Sequence, residues 1–92
     1  MDRITLKDLD VLVDRLNQVT NSSMTPYTRK EDGTYTCNIG NYHTYPAYGR
    51  IGLHRMGNER GGVTTIIGLG TKRELYDRLH TLLVGIEMGK NT

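Results

Sequence analysis

Two amphipathic helix patterns stand at opposite ends of the chain with nothing helical between them, and this arrangement restricts the possible folds more than any other feature. Near the N-terminus Leu6, Leu9, Leu12, Val13, Leu16 and Val19 recur at three- and four-residue spacing. That period lines one side of a helix with apolar groups and leaves Lys7, Asp10, Asp14 and Asn17 largely on the other. Thr5 and Asp8 make a capping-box-like start, so a helix is predicted from about Leu6 to Val19, with Asp8, Asp10 and Asp14 on its solvated face. Thr71-Lys72-Arg73-Glu74 is the fuller form of the same device. It predicts a second helix from Lys72 to about Met88, with Leu75, Leu79, Leu82, Leu83 and Ile86 as its apolar stripe, Arg73–Asp77 and Glu74–Arg78 as i,i+4 pairs and Gly89 as its stop.

The residues between the helices change to a period of two and are punctuated by turn formers. Tyr27 to Arg29 reads as a short extended edge, and Asp32-Gly33 is a hairpin signal. Tyr35, Cys37 and Ile39 alternate with Thr34, Thr36 and Asn38; Arg50 to Met56 alternates again around Ile51 and Leu53; Val63, Thr65 and Ile67 share a face of a third strand. Gly40 to Gly49 is expected to connect the first strand to the second, because Pro46 keeps its middle out of a central ladder. Turns alone separate these strands, so they should pair antiparallel. The expected fold is α+β in the order α-β-β-β-α: two helices packed on one face of a three-stranded antiparallel sheet, over a core of Cys37, Ile39, Ile51, Leu53, Val63, Thr65 and Ile67. Its other face, bearing Arg50 and His54, has no third layer. It must be solvated, covered by the Gly40–Gly49 connection, or used by a partner.

Ninety-two residues are enough for a single domain, near the lower end of what buries a sufficient core. One cysteine excludes an intrachain disulfide, and Cys37 is expected as a buried, inert thiol in a reducing cytoplasm. No Cys/His spacing suits zinc, no cofactor motif is present, no apolar run approaches the ~18 residues of a membrane span, and the N-terminus lacks a secretory h-region. The net charge of +2 is too small to demand nucleic acid.

That charge is concentrated. Gly40 to Gly62 holds three of the six tyrosines, two of the three histidines, six of the eleven glycines, and Arg50, Arg55 and Arg60 against Glu59. Phenol rings offer stacking faces and guanidinium groups offer paired donors to phosphate. Asn41, Tyr42, His43, Tyr45, Tyr48, Arg50, His54, Arg55, Asn58 and Arg60 are therefore the candidate ligand-binding residues, for a nucleotide-like or other phosphate-bearing small molecule. The same tyrosines would serve equally to plug the open sheet face. His43 and His54 with Arg50 and Glu59 also match the toolkit of a metal-independent phosphodiesterase, in which a base, an acid and an arginine clamp act together. An uncovered face rich in Tyr and Arg suits a protein interface as well, either with a host protein or within a homo-oligomer.

Gly68-Leu69-Gly70-Thr71-Lys72-Arg73 is similar to the Gly-x-Gly-x-Ser-Lys-Lys start of the last helix in double-stranded-RNA-binding domains, which share the α-β-β-β-α order. That resemblance implies anion or RNA contacts at Lys72 and Arg73, although Leu75, Tyr76, Leu79 and Leu82 replace the closely spaced alanines of that family. Ile39-Gly40-Asn41-Tyr42-His43, Ala47-Tyr48-Gly49, Leu53-His54-Arg55-Met56, Gly61-Gly62-Val63 and Arg73-Glu74-Leu75-Tyr76 together resemble a group of short proteins encoded by tailed bacteriophages and prophages, with Arg50 where that group often has a second glycine after Ala-Tyr-Gly. This resemblance implies expression in the cytoplasm of an infected bacterium and stoichiometric binding of a host protein or a host signal molecule. It assigns no catalytic role to any residue.

Overall fold

The computed structural model describes residues 3–58 and 60–90. The chain runs α1 (Leu6–Val19), β1 (Tyr27–Arg29), β2 (Tyr35–Cys37), β3 (Tyr42–Ala47), β4 (Arg50–Met56), β5 (Val63–Gly70) and α2 (Lys72–Lys90). β3, β4 and β5 form an antiparallel sheet in that spatial order, and β1 pairs with β2 in a separate two-stranded ribbon. The α+β class, the two helices and the three-stranded antiparallel sheet are as the sequence predicts.

Both helices start where their caps say. The Thr5 hydroxyl accepts from the Asp8 amide while the Asp8 carboxylate accepts from the Thr5 amide, and Thr71 and Glu74 repeat the exchange at α2. Each box satisfies two amides that a helix start leaves without partners. Leu9, Leu12, Val13 and Leu16 of α1, Leu75, Leu79 and Leu83 of α2, and Ile51 and Leu53 of β4 form one buried cluster. Each such side chain contributes about 1.5–3 kcal/mol relative to exposure. Ile51 and Leu53 share a face of β4, so the helices lie together on that side. Arg15 of α1 bonds Glu87 of α2 across the helix pair through its Nε, at 3.0 Å.

The identity of the first sheet strand differs from expectation. Gly40–Gly49 is not a connection, because its residues 42–47 are β3; the Tyr35–Cys37 segment belongs to the small ribbon instead. The cause is a turn. The Asn41 amide bonds the Asn38 carbonyl, Gly40 takes φ +91°, and the Gly40 amide then bonds Met56, so the chain restarts its pairing one strand later. Cys37 is accordingly half-buried and Ile39 is 59% exposed, neither of them under the helices. Val63 and Thr65 are exposed too, and Ile67 is half-buried, packed against the core. Pro46 is tolerated because β3 is an edge strand, where a missing amide costs no ladder bond. The third strand does not stop at Ile67 but runs on to Gly70.

β3 and β4 are joined by Tyr48 and Gly49 alone, with φ of +54° and +72°. Two positive φ values in a two-residue loop match a type I′ turn, whose twist suits the flanking strands and whose first position favours Asn, Asp or Gly. Tyrosine is a costly choice there.

Candidate functional site

Register fixes which candidates share a side of the sheet. His43 pairs with His54, Tyr45 with Gly52 and Ala47 with Arg50, and these alternate along the strands with Ile51 and Leu53, so they project from the face turned away from the helices, except that Arg50, at the turn end of the sheet, also lines the cleft by the helix starts. There the Tyr45 and His54 rings stack with centroids 3.4 Å apart and planes 16° from parallel, and His43 meets His54 edge-on at 5.8 Å. Glycine at 52 makes this possible: a Cβ would lie 2.6 Å from the Tyr45 ring and 2.7 Å from the Ile67 carbonyl oxygen. The phenol ring thus covers a strand glycine and shields the imidazoles.

Burial holds the His54 imidazole below its ordinary value, and the facing His43 adds to the shift. His43 is lowered as well, by burial first, with its contact to Asn41 pulling the other way. Both rings are therefore neutral near pH 7, available as proton acceptors but not as cations for a phosphate. Arg50 stands four residues from His54 on the same strand, about 13 Å along the backbone. Glu59 lies outside the described residues. The structure thus brings together two imidazoles and a phenol, with the strand guanidinium at a separate end.

A second grouping forms at the hairpin end of the sheet. Leu6, Pro46, Gly49, Arg50, Ile51, Gly70 and Lys72 line a cleft of about 210 Å³. Leu6 and Lys72 are the first residues of α1 and α2, so both helix N-termini open on this cleft beside two cationic side chains. The Asp8 and Glu74 carboxylates already accept from amides at these two helix starts, so the positive charge open to an anion is that of Arg50 and Lys72. The Glu74 carboxyl is held below its ordinary value mainly by its bond to the Thr71 amide, with smaller contributions from Arg78 and Arg50. Tyr48 is the residue next to Gly49 on the rim, 96% exposed, in the left-handed backbone region that a bulky side chain rarely adopts.

The remaining candidates divide between structural roles and isolation. Asn41 is fully buried, donates to the Ser23 carbonyl at 2.7 Å and contacts the His43 ring, so it ties the 20–25 loop to β3. Asn58 folds its side-chain oxygen onto the amides of Arg60 and Gly62, at 2.9 and 3.0 Å, and serves the loop. Tyr42 and Arg55 pair on the helix-bearing side, the guanidinium 5.3 Å from the ring centroid. Arg60 is exposed in the loop, and Arg73 faces Asp77 at 3.7 Å on the solvated side of α2. Another cleft, of about 290 Å³, lies between α1 and β3 and includes Asp10, Asp14, Tyr42 and His43 in its lining; two carboxylates make it repellent to phosphate.

Asn17 is the residue that sequence periodicity assigns to the wrong side. It is 1% exposed, and its amide group donates to the Tyr42 carbonyl at 3.0 Å while accepting from the Tyr42 amide at 2.8 Å. A helix side chain thus takes the place of a neighbouring strand. Its only signal in the sequence is position, four residues after Val13 on the flank of the apolar stripe.

Among the described residues no group of three or more His, Cys, Asp or Glu side chains is placed to hold a metal ion, and no helix is long and apolar enough to cross a membrane. Comparison with family models, with curated proteins and with solved structures finds no match to the chain.

Proposed function

We propose that this protein binds a phosphate-bearing small molecule, without turnover, in the cleft between the β3–β4 turn and the starts of α1 and α2. The observation that carries the reading is the convergence of Arg50 and Lys72, twenty-two positions apart in sequence, on one cleft with both helix N-termini. Arg50 offers paired donors and Lys72 a mobile charge to the phosphate. Gly49 and Gly70 let the backbone approach closely, and Leu6, Pro46 and Ile51 supply an apolar floor. At about 210 Å³ the cleft takes a phosphate and the adjoining part of a ligand rather than a whole nucleotide. Tyr48, the exposed neighbour of Gly49 in the same turn, would offer its ring as a stacking face to a base leaving the cleft. In the setting that the bacteriophage resemblance implies, an infected bacterial cell, such a protein acts by sequestering a nucleotide signal of host defence.

Titration calorimetry at low salt, against inorganic phosphate and a panel of mono-, di- and cyclic nucleotides, tests the reading. Binding is expected to weaken at least tenfold in Arg50→Ala and Lys72→Ala and to fall as salt is raised. Absence of heat from every compound with the wild-type protein sinks it. Phosphodiester turnover that disappears in both His43→Ala and His54→Ala would instead favour an enzyme on the opposite face.

A further inference from the structure

We infer that two copies of this chain pair through their β5 strands, antiparallel and about a two-fold axis, to make one continuous six-stranded sheet. The inference is independent of the ligand reading. β5 is the last strand of the sheet, and no strand among the described residues pairs with its outer side. Its eight residues, Val63 to Gly70, contain no charge and no proline, and only Gly70 is buried. A strand edge is a row of backbone donors and acceptors, and what fits it is another strand; edges that must stay single normally carry lysine, proline or a covering element. β-bulges serve the same end, and β5 has two register shifts, one between its pairings with Ile51 and Leu53 and one between those with Leu53 and His54, which leave Val63–Thr65 in regular pairing with His54–Met56.

The occupant is set by the composition of this edge. With the axis near Thr65, Thr64 would face Ile66 and Val63 would face Ile67 of the copy, favourable pairs across an antiparallel ladder, and no like charges meet there. Antiparallel pairing of a strand with itself is closed by a two-fold axis, so assembly stops at two. α2 lies over β4 and β5 and α1 over β3, so the pairing also brings α2 of each copy alongside the other. An edge of eight residues is about 27 Å long. With a molecule 20 Å thick, roughly 1,000 Å² in total is covered, the lower limit for a specific interface. The dimer should accordingly depend on concentration.

Sedimentation equilibrium between about 1 and 500 μM is the test. The wild-type mass should rise from 10.4 kDa toward twice that value. Thr65→Lys, an exposed position near the two-fold axis, should hold the mass at 10.4 kDa with an unchanged circular dichroism spectrum. If Thr65→Lys loses its fold, the same readout is taken on Ile66→Lys. Exchange of the Val63–Gly70 amides should slow with increasing concentration in the wild type alone. A wild-type mass of 10.4 kDa throughout the range overturns the inference, as does a dimer that the lysine variants leave intact.

Discussion

The two edges of the sheet differ in nearly every respect. β3 has its outer backbone at Tyr42 occupied by the Asn17 side chain, carries Pro46, lies under α1, and ends in a tight turn. β5 is longer, uncharged and mostly exposed, and it has no helix side chain bonded to its edge among the described residues. The cleft proposed to take the ligand lies at the turn end of the sheet, where Pro46 of the guarded strand and Gly70 of β5 both line it. The β5 side, interrupted by register shifts but bonded by no side chain among the described residues, is the one proposed to meet another strand. One buried amide accounts for much of the difference, since a strand edge closed by a side chain cannot act as a template.

The largest effect is expected at Gly52, where both edges depend on the same residue. Gly52→Ala drives a methyl group into the Tyr45 ring of β3 and the Ile67 carbonyl of β5 together, and should cost about 3 kcal/mol in urea unfolding. A loss below about 0.5 kcal/mol would mean that the close approach is not maintained in solution.

Asn17→Ala acts on the guarded edge alone. It leaves the Tyr42 amide and carbonyl without their partner and should cost about 2 kcal/mol. Hydrogen exchange at Tyr42 should accelerate while the β4–β5 amides slow-exchange as before. Uniform acceleration over the sheet would show that the edge is not separately guarded.

Tyr48→Asn should move stability in the opposite direction. Asparagine tolerates the left-handed backbone at the first turn position, so unfolding should be harder by about 1 kcal/mol. Nucleotide affinity should fall in the same variant. A protein that gained stability and kept its affinity would separate the strained tyrosine from the ligand.

The smallest effect is expected from pH. His43 and His54 have folded-state values below the ordinary 6.5, so the unfolded chain binds more protons than the folded one in that window. Their contribution is fully present above 6.5 and is lost as pH falls from there toward the folded-state values. β5 contains no titratable side chain. Acidification from pH 7.5 to 5.5 should therefore weaken β3–β4 before β5, and the His43→Asn/His54→Gln double variant should flatten the dependence. An equal slope in that variant would place the titration elsewhere.

Much of this protein was written in local sequence. Apolar spacing with Thr5, Asp8, Thr71 and Glu74 determined where both helices start and most of the faces they bury, because periodicity and caps act within a few residues; α2 nevertheless runs through Gly89, its expected stop, to Lys90. Alternation in Arg50–Met56 and Val63–Ile67 determined two strands and the α+β class. Tertiary structure decided the rest. Strand pairing joins residues distant in sequence, so nothing near Tyr35 revealed that a turn at Gly40 would hand its place in the sheet to Tyr42–Ala47. Asn17 looked like a polar surface residue because its partner, a backbone group twenty-five positions away, does not exist until β3 lies beside α1. The dense segment from Gly40 to Gly62 held residues of three kinds, and only the alternation of a paired strand sorted them. His43, Tyr45 and His54 went to one face and Tyr42 and Arg55 to the other, while Arg50 joined Lys72 at the end, where the two helices begin.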